Sequence, residues 1–300
     1  MRAGERMRRK GKRSTGWLAR ALSVLVCLLA AGSWASAEES AKPTEPPASS
    51  PEDIARGLAQ FRKMLTEDPW SNPAFLDADR GEAIWKEKRG PRKQSLETCD
   101  LGLGPGVVDG AYAELPRYFP DARRVMDVES RILWCMQRIQ GFNAAKFLKS
   151  PHPASGQPVG EIGAVATWVA SRSDKKSMMP RMAHPKEWEA VALGEALFNR
   201  RQGPFDFSCA SCHGEKGKRI RLQSLAQLSN PVEARKVLGE WPAYRVSTAH
   251  VMTLQHRLLD CYWQMRLPPL RFGSETSVAL IAYLKHVAQG AEIKAPGLKR

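Results

Sequence analysis

The sequence predicts an all-α protein built as two tandem halves. Three observations predict it: an ordered internal repeat, helix-period apolar spacing in both copies, and connecting segments without strand-like alternation. Gly81-Glu82-Ala83-Ile84-Trp85 matches Gly194-Glu195-Ala196-Leu197-Phe198 at an offset of 113, and Gly90-Pro91 matches Gly203-Pro204 at the same offset. Cys99 then falls on Cys212 without a gap. The second half gains 13 residues, after which Met126, Arg131 and Cys135 fall on Met252, Arg257 and Cys261 at an offset of 126. Near the ends, Trp168 pairs with Tyr283, inside segments 162–170 and 278–287 that both have helical apolar spacing.

The elements follow in chain order. Residues 1–37 read as a signal peptide. Arg2 to Arg20 hold eight Lys/Arg against one Glu, an apolar run follows from Ala21 to Ala31, and Ala35-Ser36-Ala37 is a small-residue cleavage site. The run is too short to cross a bilayer as a helix, and no other segment has the ~20 apolar residues that a span requires. The expectation is export to the periplasm with cleavage after Ala37 and no membrane span afterwards. Residues 38–75, rich first in Pro, Glu, Ala and Ser, read as an N-terminal extension. The first half is then 76–175 and the second 176–300, joined by the polar, basic, Pro-containing stretch Ser171 to Pro185.

Of the formal charge of +15, +7 lies in residues 1–37, so the cleaved chain is near +8. That favours anionic substrates or acidic partners. It does not point to nucleic acid, since the compartment is wrong and no basic stripe with interleaved aromatics is present.

Cys209-Ala210-Ser211-Cys212-His213 has the spacing of a c-type haem attachment site. Two thiols add to the two haem vinyl groups, the intervening pair of residues sets their separation, and His213 falls under the iron as proximal ligand. A zinc site would want a second Cys/His pair at similar spacing, and the sequence has none. In c-type cytochromes a glycine such as Gly194 lets the first helix cross the last closely, against an aromatic such as Tyr283. The fold class is therefore two tandem cytochrome c-like domains. The first-half equivalents of Cys209 and His213 are Leu96 and Asp100, so that half holds no covalent haem, and the chain carries one haem c.

Five cysteines remain after cleavage, an odd number in an oxidising compartment. With no haem between them, Cys99 and Cys135 are free to approach and form a disulfide; two separate buried thiols are the alternative. That leaves Cys261, in Arg257-Leu258-Leu259-Asp260-Cys261-Tyr262-Trp263-Gln264-Met265-Arg266. The stretch lies 48 residues past His213, where such domains bring in a distal ligand. Met265 is the conventional candidate and would raise the potential; Met252 is a weaker one. Cys261 competes because its first-half counterpart is also a cysteine, and spacing alone does not choose between them.

The lone Cys-x-x-Cys-His, the Arg four residues before a Cys, and the following Gln-Met-Arg resemble the SoxA family of sulfur-oxidising (Sox) systems. The resemblance spans nearly the whole chain after cleavage and favours the single-haem members, because Leu96 and Asp100 stand where the diheme members have a second attachment motif. It implies that Cys261 is the distal iron ligand, often carried as a persulfide, and the site of sulfur transfer through a covalent sulfur adduct. It also implies an L-cysteine S-thiosulfotransferase that joins thiosulfate oxidatively to a cysteine of a SoxYZ carrier. The electrons would pass through haem to a SoxX cytochrome in a heterodimer. Arg257, one helical turn from Cys261, is expected to stabilise its thiolate and to hold the anionic substrate. A plain electron-transfer cytochrome with Met265 as distal ligand is the competing reading. His184, His250, His256 and His286 have no motif partner and read as packing or surface residues. Arg266 and Arg271, near Pro268-Pro269, are candidates for the haem edge or the surface.

Overall fold

The computed structural model describes residues 71–220 and 223–299, with isolated positions between 50 and 64. The signal segment 1–37 and nearly all of the extension 38–75 lie outside the described residues. The chain forms two compact units, Met1–Ala55 and Arg56–Arg300. In the first, Ser50 Oγ donates to Asp53 at 2.6 Å. All elements below belong to the second.

Helix α1 (Ala74–Lys86) is followed by the short α2 (Ala111–Glu114), the hairpin β1 (Arg117–Phe119) and β2 (Arg124–Met126), and α3 (Val128–Arg138). Then come α4 (Ala145–Leu148) and α5 (Glu161–Ser171), which closes the first repeat. The second copy runs α6 (Pro185–Asn199), α7 (Cys209–His213), the strand pair β3 (Arg219–Ile220) and β4 (Gln223–Ser224), and α8 (Pro231–Leu238). It continues with the hairpin β5 (Ala243–Arg245) and β6 (His250–Met252), α9 (Leu254–Gln264), α10 (Glu275–Val287) and β7 (Gly297–Lys299).

Local chemistry sets the helix starts. Asp127 caps α3 in a reciprocal box with Ser130, Thr253 accepts from the His256 amide at the start of α9, and His184 Nδ1 accepts from Lys186 ahead of α6, whose first residue is Pro185. The two long crossings rest on glycine. A Cβ on Gly81 would run into the Ala164 carbonyl, and one on Gly194 into the Ala279 carbonyl. Beside these contacts Trp85 meets Trp168 at 5.5 Å, and Phe198 meets Tyr283 at 5.3 Å between ring centroids.

The connections depart from the strandless expectation. β1 and β2 pair antiparallel, with Arg117 opposite Met126, and β5 and β6 do the same, with Ala243 opposite Met252. β5 is the middle strand of a three-stranded sheet, flanked antiparallel by β6 and parallel by β7. Strands of two or three residues are too short to show a period of two in sequence.

The stretch between the halves also differs from a solvated linker. Met178 is fully buried, its amide donating to Ala291 at 2.7 Å, while the Lys175 amide donates to Ile293 at 2.8 Å. One apolar core runs through the elements on both sides of this stretch. Where they meet, Gln255 Nε2 donates to Asp127 at 3.0 Å, and the buried Lys285 ammonium lies 3.5 Å from the Tyr112 ring and donates to the Tyr112 carbonyl. Cys99 and Cys135 form a buried disulfide that closes a 36-residue span. Among the described residues, no helix is long and apolar enough to cross a membrane.

Candidate functional site

The turn Cys209–His213 is a single short helix, α7. Ser208 caps it, accepting from the Ser211 amide at 3.1 Å while the Ser211 hydroxyl accepts from the Ser208 amide at 3.0 Å. The cap fixes the turn, so that the thiols of Cys209 and Cys212 project from adjacent turns of one backbone. Both are unpaired and half-buried. His213 Nδ1 lies 2.8 Å from the Ala226 carbonyl, which sets the ring orientation. Burial pushes the His213 imidazole down from its ordinary value, and the charge of Arg257 adds to that. The imidazole is thus neutral and able to ligate near neutral pH. Two unpaired thiols two residues apart, followed by an oriented neutral imidazole, are the donor set that covalent haem requires, and these residues fit it.

α9 brings the second group of residues. Thr253 starts the helix, and Arg257, Asp260 and Cys261 then lie within about one turn of it. Arg257 Nη1 is salt-bridged to Asp260, which also accepts from Gln264 Nε2 at 2.8 Å. Cys261 is unpaired and half-buried, and its charge is felt at Cys209, as that of Cys212 is at Cys261. The three thiols therefore share one neighbourhood, although 48 residues separate His213 from Cys261 in sequence. Burial pushes the Cys261 thiol up; Arg257 and Arg245 pull it down and Asp260 pushes it up again. Burial outweighs the pull of Arg257 on this thiol. The Cys209 thiol is raised to about 12, chiefly by burial and then by Cys261.

The other candidates separate from this group. His184 caps α6 and stacks on Tyr118 at 3.7 Å, and His286 meets Trp188 edge-on at 5.6 Å. His250 and His256 are buried and stack 5.1 Å apart, and His152 stacks on His256 at 4.2 Å. Face-stacked rings do not converge their nitrogens on one point, and among the described residues no group of three or more His, Cys, Asp or Glu side chains could hold a metal ion. Met252 is buried in β6. Met265 is the C-cap residue of α9, its amide bonded to the Cys261 carbonyl at 2.9 Å. Arg266 lies over the exposed Trp263 ring at 5.1 Å, and Arg271 is exposed. Sequence reasoning missed Arg245, Asp260 and His152. Arg245 was legible only by extending the 126-residue offset back through the hairpin.

The helices, the two glycine crossings and the Cys-x-x-Cys-His turn define a cytochrome c-like protein. Residues 80–178 and 193–293 match the family described as SoxA/TsdA, cytochrome c domain, and the chain belongs to that family. Over 245 residues it is 43% identical to the L-cysteine S-thiosulfotransferase subunit SoxA of Hydrogenophilus thermoluteolus, covering 82% of this chain and 88% of that relative. Over 250 residues it is 33% identical to a SoxA subunit of Hydrogenobacter thermophilus, covering 83% and 90%. The crystal structure of SoxXA from P. pantotrophus has the same fold at a TM-score of 0.65 and 22% identity, covering 80% of this chain and 84% of that one.

Proposed function

We propose that this chain is the haem subunit of an exported L-cysteine S-thiosulfotransferase, with Cys261 as the sulfur at which transfer occurs. The carrying observation is the convergence of Cys261, on α9, with the Cys209–His213 turn, on α7, in a family whose relatives bear that activity in their names. In this reading Cys209 and Cys212 would attach one haem c, and His213 and Cys261 would ligate its iron. The first half, 76–175, is a cytochrome c-like domain without haem, with the Cys99–Cys135 disulfide bracing it.

The overall reaction joins a carrier cysteine thiol to thiosulfate through a new S–S bond, releasing two electrons and one proton. Bound haem supplies the acceptor through which those electrons leave toward a SoxX-like cytochrome. The protein's own residues do the rest. Ala226 fixes the His213 ring. Asp260 holds Arg257 one turn from Cys261, so a positive charge sits beside a sulfur that burial otherwise keeps protonated. The net positive charge of the chain favours the approach of the thiosulfate anion.

Cys261→Ala tests the reading in the haem-loaded chain with its partner cytochrome. Thiosulfate-dependent coupling to a carrier cysteine is expected to fall to background while the haem stays attached. Unchanged turnover would leave a plain electron carrier with Met265 as ligand. Peptide mass spectrometry gives an independent check: a retained extra sulfur on Cys261, about 32 Da, is cysteine redox chemistry that a bystander thiol would not show.

A further inference from the structure

The segment that carries Arg257, Asp260 and Cys261 is closed on itself by one side chain. Gln255, in the first turn of α9, is fully buried. Its Oε1 accepts from the Gly273 amide at 3.4 Å, 18 residues further on, and its Nε2 donates to Asp127 Oδ2 at 3.0 Å. Gly273 stands just ahead of Ser274, the residue that caps α10. One side-chain amide therefore joins the start of α9 to the end of the loop that follows it. The same amide ties both to a carboxylate of the first half.

Asp127 is held in turn. Its Oδ1 accepts from the Ser130 amide at 3.0 Å and from the Ser130 hydroxyl, the cap of α3, and its Oδ2 faces α9. Gly273 closes on the same cap, since a Cβ there would stand 3.4 Å from the Ser130 Cβ. Asp127 is 3% exposed and Gln255 0%, so water does not compete for their bond, and a buried bond to a charged oxygen is strong and fixed in direction. The chemistry of the pair is specific. Asp127 needs a donor and the Gly273 amide needs an acceptor, and a primary amide supplies both. Cys261 stands on the same unbroken helix less than two turns from Gln255, so a shift at this clasp is passed along α9 to its sulfur.

We propose that Asp127 and Gln255 are positioning residues for the reaction at Cys261, a clasp through which the first half of the chain sets where that sulfur stands. This deepens the function proposed above and rests on it. It gives the half without an attachment motif a part in the site, exerted through α9. Asp127 also shares a small cavity with Glu129 and Lys285, so a sound test must keep one carboxylate in that cluster.

The test compares Asp127→Asn, Gln255→Glu and the two together, in the haem-loaded full chain with its partner cytochrome. Asn caps a helix as well as Asp does, so α3 keeps its start in every variant. Asp127→Asn alone sets donor against donor, and Gln255→Glu alone sets two buried carboxylates face to face. Together they reverse donor and acceptor, leave an acceptor for the Gly273 amide, and keep one carboxylate beside Lys285. Each single variant is expected to speed amide hydrogen exchange across 255–273 by about tenfold or more, to lower thiosulfate turnover by about tenfold and to shift the ferric spectrum. The double variant should bring exchange and turnover back to within about threefold of the unmodified protein and restore the spectrum. Single variants with unaltered exchange and spectrum would overturn the proposal. So would a double variant as impaired as the two singles combined, because the residues would then not act as a pair. A lowered melting temperature with turnover and spectrum unchanged would overturn it too, leaving a brace with no part in the site. Absence of thiosulfate turnover in the unmodified protein, or a spectrum that Cys261→Ala leaves unchanged, would instead sink the function proposed above.

Discussion

Cys261 sits among opposing influences, with burial raising its proton affinity while Arg257 and Arg245 lower it. Removing Arg257 therefore leaves burial and Asp260 unopposed from that side. Arg257→Gln is expected to slow alkylation of Cys261 by iodoacetamide in haem-free protein and to shift its pH dependence upward, read by mass spectrometry. The stacked imidazoles make a second prediction at this scale. Burial first, and then the charges of neighbouring histidines, push His152 down to about 3 and His256 to about 4. A free imidazole titrates near 6.5, so the unfolded chain takes up protons first. The stability these two neutral rings allow is complete above pH 6.5 and is lost as pH falls toward 4, by about 2 kcal/mol for each ring at pH 5. His152→Phe keeps a ring against His256 and removes one titration. Its urea midpoint should drop less between pH 7 and pH 5 than that of the unmodified protein, and an equal drop would contradict the assignment.

The helix crossings are the elements most legible in sequence. Gly81 and Gly194 recur with an aromatic four residues on, and each meets a carbonyl of the partner helix so closely that no Cβ fits. Gly194→Ala should accordingly destabilise the protein by about 2–3 kcal/mol in denaturant titration, because the backbone of α10 cannot yield as a flexible side chain would. The hairpins were not legible, since three-residue strands carry no readable alternation. Arg245 lies on β5, paired with His250, whose ring stacks on His256 of α9. The cysteine arithmetic worked for a different reason. With no attachment motif to put a haem between them, Cys99 and Cys135 were expected to pair, and the structure joins them. The stretch 171–185 read as a linker from its polarity, yet its backbone is tied to residues 291–293, a pairing between distant segments that composition does not encode.

At the scale of the molecule, one apolar core spans both copies of the repeat, and the disulfide braces the first of them. Closing a 36-residue span contributes about 4 kcal/mol in the loop-entropy account. Replacing both Cys99 and Cys135 with Ala should lower unfolding stability by about that amount while leaving haem attachment unchanged, since neither residue adjoins α7. Urea denaturation with haem absorbance as a parallel probe would show whether the two readouts separate. The sheet at the other end of the chain has a different consequence. β7 lies along β5 on the side away from β6, with Leu298 beside Tyr244 and Lys299 beside Arg245, and the Lys299 ammonium is paired with Glu240. Residues 297–299 are thus a splint on β5. Removing residues 297–299 would leave one side of β5 an open edge, an unpaired template for association with another chain.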